Sequence, residues 1–247
     1  MKIIFWRQVF DKVARKVLAQ RKKIRHIEPS IIYSPNDVCP NNFLVNLFLK
    51  AAQKAWSDPI LIPNQQTSDF GYLNIFPGEH YRLLRALTMI LNAKQVIEVG
   101  TYTGLGTIAM MQGQTNGHVL TYDLIPWQNF DTNLSQADFD QQRVIQRIAD
   151  LSDLKQFEEN LSALNQADII FIDGPKDSIF EYKLIPWLSR LAAKPNKLLI
   201  LDDIRFVNMI DLWVRIRSPK LDVTSFGHWS GSGLVDISQP LQIDEKV

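Results

Sequence analysis

Six carboxylates and one lysine hold most of the chemistry open to this chain: Glu98, Asp123, Asp150, Asp173, the adjacent pair Asp202-Asp203, and Lys176. Glu98, Asp123, Asp173 and Asp202 each close a short apolar run, at 96–99, 119–123, 168–173 and 197–202. In an open α/β sheet the carboxyl ends of the strands converge on one crevice, where ligands bind. Chance would put one or two acids there, and a whole set is better explained by a ligand. Asp123, at a second strand's end, can accept hydrogen bonds from both hydroxyls of a ribose. Asp173, Asp202 and Asp203 offer hard oxygen donors of the kind Mg²⁺ requires. Without a cation three carboxylates at one place repel one another. The alternative is that some of these acids only cap the helices that follow them.

Between the first two acids lies Gly100-Thr101-Tyr102-Thr103-Gly104-Leu105-Gly106. An apolar run, a glycine turn and a helical start at 107–111 make a strand–turn–helix unit. Glycine suits the turn because a side chain would keep a ligand off the backbone. The 25 residues from Glu98 to Asp123 would suit a dinucleotide as well. The glycine spacing, G-x-x-x-G-x-G, departs from the G-x-G-x-x-G that presents backbone to a pyrophosphate.

The elements needed to position these residues can be read in order. Helices are expected at 41–56 and 77–92, with a Pro- and Gly-bearing loop at 57–71 between them. Strands follow at 96–99, 119–123, 143–148, 168–173 and 197–202, with helices at 154–164, 178–193 and 206–216. A closing strand pair, 221–226 and 234–237, flanks the loop 227–233. Five parallel-type units and a hairpin-like pair predict an α/β fold: a doubly wound, mostly parallel, seven-stranded sheet with helices on both faces. Residues 1–70 read as an N-terminal helical extension and 71–247 as the catalytic domain.

Composition narrows the function classes. Hydrophobic residues make up 46% of the 247, enough for a substantial core. No apolar run reaches the ~18 residues a membrane span needs, and no leader peptide is recognisable at the start. Cys39, the single cysteine, reads as structural and fits a reducing compartment, so a cytoplasmic location is expected. The net charge is +1, but residues 1–29 hold nine Lys or Arg against two acids, leaving the remainder at −6. That segment is either a surface for an anionic partner or the solvated face of a helix or dimer arm. A net acidic core without an aromatic-basic stripe argues against nucleic acid.

The motifs Glu98-Val99-Gly100-Thr101-Tyr102-Thr103-Gly104, Tyr122-Asp123, Phe171-Ile172-Asp173 and Leu201-Asp202-Asp203 resemble, in this order, those of the class I S-adenosylmethionine-dependent methyltransferases. Within that class they are similar to the catechol-type and macrolide-sugar O-methyltransferases, over about residues 70–237. The resemblance implies a Rossmann-like methyltransferase fold and S-adenosylmethionine as the cofactor. It implies that the turn from Gly100 to Gly104, with Glu98 and Thr101, holds the methionine part. Asp123 would bind the ribose, Asp150 would sit by the adenine amine, and Tyr102 would line the cofactor. It places a divalent metal, Mg²⁺, on Asp173, Asp202 and Asp203, makes Asp173 a catalytic residue and a cofactor contact as well, and puts a catalytic base at Lys176 in Asp173-Gly174-Pro175-Lys176-Asp177. Gly106 is a departure, since catechol-type members carry there a serine that contacts the cofactor. The expected activity is methylation of a hydroxyl on a small catechol-like or sugar-like diol.

His228 and Trp229, in the loop between the closing strands, are candidates for the acceptor pocket. His80 and His118 read as structural. Two other readings stay open at this level. One is a metal-site enzyme on the same scaffold that transfers no methyl group. The other is a binding or assembly protein, a homodimer for instance, that works through its basic first helix.

Overall fold

In the computed structural model, which describes residues 38–61, 68–75, 78–226 and 228–245, the apolar runs pair into one seven-stranded sheet. The strands are β1 (Gln95–Val99), β2 (His118–Asp123), β3 (Val144–Ile148), β4 (Ile169–Ile172), β5 (Leu198–Asp202), β6 (Lys220–Asp222) and β7 (Ser232–Asp236). Their spatial order is β3-β2-β1-β4-β5-β7-β6. The first five run parallel, and β7 lies antiparallel to both β5 and β6. The basic segment 1–29, with its proposed contact role, lies outside the described residues.

The helices are α1 (Asn42–Ser57), α2 (Glu79–Ile90), α3 (Leu105–Gly113), α4 (Gln136–Asp140), α5 (Leu154–Glu159), α6 (Leu161–Gln166), α7 (Phe180–Trp187) and α8 (Val207–Arg215). Strand side chains alternate between faces, so β1 sends Val96 to one layer and Ile97 and Val99 to the other. On the first face Val96, Phe171 and Ile200 pack under α1, α2 and α3, through residues such as Leu44, Leu87 and Met110. On the second, Ile97, Ile170 and Ile172 meet Phe157 of α5, Leu184 of α7 and Trp213 of α8. Burial on both faces is why these strands read as unbroken apolar runs rather than alternating ones. Each such side chain contributes about 1.5–3 kcal/mol by leaving water.

The topology sets the site. The chain leaves β1 into α3 on one face and leaves β4 into α7 on the other. β1 and β4 are neighbours, so their carboxyl ends open a crevice between two diverging connections.

Several boundaries differ from the sequence expectation for identifiable reasons. The helix expected over 154–164 is broken at Asn160. Its side chain is instead drawn inward, accepting from Tyr122 Oη at 3.0 Å and Arg147 Nη1 at 2.6 Å. The helix expected over 178–193 starts at Phe180, whose N–H is capped by Asp177 Oδ1 at 2.8 Å, and ends soon after Pro186. The strand expected over 221–226 is only Lys220–Asp222, because Asp222 turns to hold Arg205 Nε at 2.7 Å and to accept from Thr224 N. The short α4 passed unnoticed, although Ser135 and Asp138 form its capping box. Two buried lysines close helix ends: Lys197 Nζ donates to Leu164 O at 2.7 Å, and Lys220 Nζ to Trp213 O at 2.6 Å. Among the described residues no helix is long and apolar enough to cross a membrane.

Candidate active site

A cleft of about 440 Å³ runs across the strand ends from β3 to β4, passing Ala149, Asp123, Tyr102, Gly100 and Asp173. Gly100 sits at φ +102°, and a Cβ there would run into the carbonyl oxygen of Asp173. The turn after β1 therefore passes the end of β4 with nothing but backbone between them, and glycine is the residue that permits it. Asp123 fastens the turn from the other side. Its Oδ2 accepts from Thr101 N at 2.9 Å and Tyr102 N at 3.0 Å, and its Oδ1 accepts from Ile125 N at 3.1 Å. The Thr101 side chain points inward, with Oγ1 2.8 Å from Thr121 Oγ1. Tyr102 is exposed and sets its ring edge-on to Phe130. Gly104 caps α3 in a left-handed conformation against Leu134. Asp150 follows Ala149 and accepts from Ser152 N at 2.8 Å.

Glu98 is placed apart from the cleft wall. Period-two alternation puts it on the α3 face, 1% exposed, where it accepts from Thr107 Oγ1. Burial pushes its carboxyl up to about 8, against the opposing hydrogen bonds of Thr107 and Thr121. A Cβ on Gly106 would collide with Glu98 Oε1. The glycine that departs from the catechol-type pattern is thus the space in which Glu98 lies under the helix start.

The other end of the cleft is charged. Asp173, Asp202 and Asp203 present donor atoms that all lie within 4.8 Å of one another. Lys176 Nζ, 7% exposed, pairs with Asp173 Oδ1 and lies 3.2 Å from Asp203 Oδ2. Burial pulls the Lys176 amine down, but Asp173, Asp202 and Asp203 outweigh it and hold it above the usual lysine range. Burial, with the charge of Asp202, pushes the Asp173 carboxyl up to about 6 despite Lys176. Asp202 goes the other way. Burial would raise it, but its bond to His228 and the nearby positive groups hold it well below the carboxylate range. Lys176 and Asp203 are both held in the left-handed region, at φ +53° and +58°, as is Tyr102 at +43°. Such conformations cost energy in non-glycine residues and gather where a site over-determines them.

Elements distant in sequence complete this end. Ile204 N and Arg205 N donate to Gly231 O and Ser230 O, zipping the chain after β5 to the loop before β7. That brings His228 Nε2 to 2.9 Å from Asp202 Oδ1, while its Nδ1 meets Ser230 Oγ at 2.6 Å. Burial depresses the His228 imidazole, but its bond to Asp202 prevails and raises it. Trp229 projects outward beside Phe206, with ring centres 6.3 Å apart and both rings exposed.

Three further residues stand near the acids: Tyr81 and Glu181, for which the sequence raises no expectation, and His80, which reads there as structural. His80, on the first turn of α2, lies with its ring 4.4 Å from that of His228. Next to it, burial and then the charges of Asp173 and Asp202 push the Tyr81 hydroxyl far above its usual range. Glu181, fully buried on α7, accepts from Lys176 N at 2.9 Å and so fixes the lysine's loop. None of the three carries a local signal, since each matters only through its neighbours in space.

The arrangement is a cleft floored by the Gly100 turn and walled by Asp123, Leu124, Ile125 and Phe180, beside an acid cluster, with Asp173 belonging to both. Three carboxylates from two adjacent strands fit a hard divalent ion, and an amine sits within reach of the same oxygens.

A family profile described as O-methyltransferase matches residues 69–202, more than half of the chain. No curated protein matches. Among solved structures the chain is similar to the O-methyltransferase TomG of Streptomyces achromogenes, involved in tomaymycin synthesis and solved with SAM. The two share 14% identity over 82% of this chain and 92% of that one, with a TM-score of 0.48. It is similar to an O-methyltransferase of Bacillus cereus in complex with SAH, at 16% identity over 79% and 91%, TM-score 0.45. A third is an SAH-bound methyltransferase of Podospora anserina, at 13% identity over 95% and 96%, TM-score 0.46.

Proposed function

The chain belongs to the O-methyltransferase family, and we propose that its acceptor is a small molecule with neighbouring oxygens, a catechol-like or sugar-like diol, methylated with the help of Mg²⁺. It is a class I, S-adenosylmethionine-dependent methyltransferase. The observation that carries the finer reading is the double membership of Asp173, which lines the cleft and also completes the acid triad with Asp202 and Asp203. A methyl donor in the cleft is thereby next to any hydroxyl held at the acids.

In this reading the backbone of Gly100 and Tyr102 supports the methionine part of the cofactor. Asp123 turns a carboxylate to the ribose, and Asp150 stands beside the adenine. Glu98 acts through the turn, holding Thr107 and the start of α3 from below. Asp173, Asp202 and Asp203 would hold the divalent cation, whose charge would lower the pKa of an acceptor hydroxyl beside it. Lys176 is the proton acceptor. As it stands, its ammonium is tied to Asp173 and Asp203, so it must lose those partners and its own proton before the neutral amine can take the proton of the acceptor. An ammonium and a divalent cation compete for the same oxygens, which links the two roles. Trp229 and Phe206 stand at the outer rim, where an acceptor ring would pass. What the protein supplies beyond this is alignment, since the methyl group on a sulfonium is already activated.

The test is release of S-adenosylhomocysteine with a panel of vicinal diols and matched single alcohols. Turnover confined to the diols, and lost in Asp173→Asn, supports the reading. Equal turnover of single alcohols, or full activity in Asp173→Asn, overturns it.

A further inference from the structure

Behind the acid triad lies a second donor set with different chemistry. His80 from α2, Asp202 from the end of β5 and His228 from the loop before β7 are 8%, 5% and 7% exposed. One potential ligand atom from each lies within 4.8 Å of those of the other two. The geometry points to a second cation site at His80, His228 and Asp202, sharing Asp202 with the acid triad and built for a borderline divalent ion of the zinc, iron(II) or cobalt(II) type rather than for Mg²⁺.

Three features of the chain support the assignment. The first is spacing. Ligands at about 2.0–2.1 Å from a metal stand about 2.8–3.0 Å apart at neighbouring positions of an octahedron and about 3.3–3.4 Å apart in a tetrahedron. His228 Nε2 and Asp202 Oδ1, at 2.9 Å, are already close to such an edge. The second is orientation. His228 Nδ1 lies 2.6 Å from Ser230 Oγ, and in the tautomer that donates from Nδ1 the Nε2 lone pair is turned to Asp202 Oδ1. In the metal-free protein a proton on Nε2 makes this contact the hydrogen bond described above, and a metal ion would take that proton's place. A hydrogen bond from the outer ring nitrogen is also the usual way a ligating histidine is held in place. Ser232 Oγ does the same for the carboxylate, donating to Asp202 Oδ1 at 3.1 Å. The third is donor type. Two imidazoles and one carboxylate are the set preferred by zinc and non-haem iron, whereas Mg²⁺ prefers oxygen alone. His80 meets the His228 ring nearly edge-on, at 68° between planes, so the two imidazoles approach from different directions.

The inference does not depend on the diol reading, because it can be tested without cofactor or acceptor. Metal-stripped protein is titrated with Co²⁺ alone, and the visible absorption of the bound ion is followed. The expected result is one equivalent bound with a band typical of nitrogen ligation. Zn²⁺ displaces it, while a hundredfold excess of Mg²⁺ does not. His80→Ala and His228→Ala, checked for folding by circular dichroism, each lose the band or bind Co²⁺ at least tenfold more weakly. Asp203→Asn, outside this set, keeps it. An unchanged band in both histidine variants, or its loss in Asp203→Asn alone, would overturn the assignment. If one histidine variant fails to fold, histidine ring resonances shifted by Co²⁺ in the unmodified protein decide the matter. Shifts of two histidines support the site, and none refute it.

Discussion

The two ends of the crevice are built from opposite materials. At the β1–β2 end the ligand surface is backbone: Gly100 presses against the Asp173 carbonyl, and Asp123 clamps the amides of Thr101 and Tyr102. At the β4–β5 end it is side chains, with Asp173, Asp202, Asp203, Lys176 and His228 locked in mutual pairings. The first end recognises by shape and hydrogen bonding, and tolerates little change of backbone. The second gathers charge, with three carboxylates held against a lysine and a histidine. The proposed function places binding of the methyl donor and activation of the acceptor in separate halves, joined at Asp173.

If that division holds, variants at the two ends fail differently. The largest effect is expected at the charged end. Lys176→Met should lower kcat by roughly 10²–10⁴-fold, the usual worth of a positioned base, with cofactor affinity unchanged by titration calorimetry. Loss of cofactor binding in this variant would break the division. At the backbone end, Gly100→Val puts a branched side chain at φ +102° against the Asp173 carbonyl. It should cost about 10²-fold or more in turnover, as small misplacements do, and here calorimetry should show cofactor binding lost as well. Asp123→Ala removes a charged acceptor from two amides, and hydrogen bonds to charged groups are worth roughly 1.5–3 kcal/mol. Cofactor affinity should fall about 10–100-fold, with metal binding untouched.

Two smaller predictions concern stability, and they have opposite signs. Glu98 keeps its proton up to about pH 8 when folded but loses it near 4.5 when unfolded. Between those values the folded state binds the extra proton, so Glu98 makes stability fall as pH rises from about 4.5 to about 8. The slope is at most about 1.4 kcal/mol per pH unit, and Glu98→Gln should flatten it in chemical denaturation. Burial lowers Lys197 to about 8 from 10.5. In that window the unfolded chain holds the extra proton, so stability should rise as pH climbs from about 8 to 10.5. Lys197→Met should abolish that rise.

The contrast between the ends also explains what the sequence made legible. The number of strands and the sheet type followed from unbroken apolar runs and the acids that close them, whereas the spatial order came only with the pairing. The backbone end was readable because close approach demands glycine at a particular spacing, and because Asp123 directly ends a strand. The acid triad was readable for the same reason. The pairing of the histidines was not: His228 reads as a candidate for the acceptor pocket and His80 as structural, and the two meet only after α2 packs on the sheet and the loop before β7 zips to Ile204 and Arg205. Glu98 shows the limit of reading strand ends without their faces. It is one residue short of the turn, and that single step carries it to the α3 side. The departure at Gly106 likewise had no visible cause until Glu98 was seen to fill the space beside it.

The most direct test of the division follows labelled methyl from S-adenosylmethionine to a catechol and to a sugar diol, using protein stripped of metal and then restored with Mg²⁺. The expected result is cofactor binding throughout, transfer abolished by stripping, and transfer restored by Mg²⁺. Transfer at the same rate in the stripped protein would contradict the account, because the acids would then have no part in activating the acceptor.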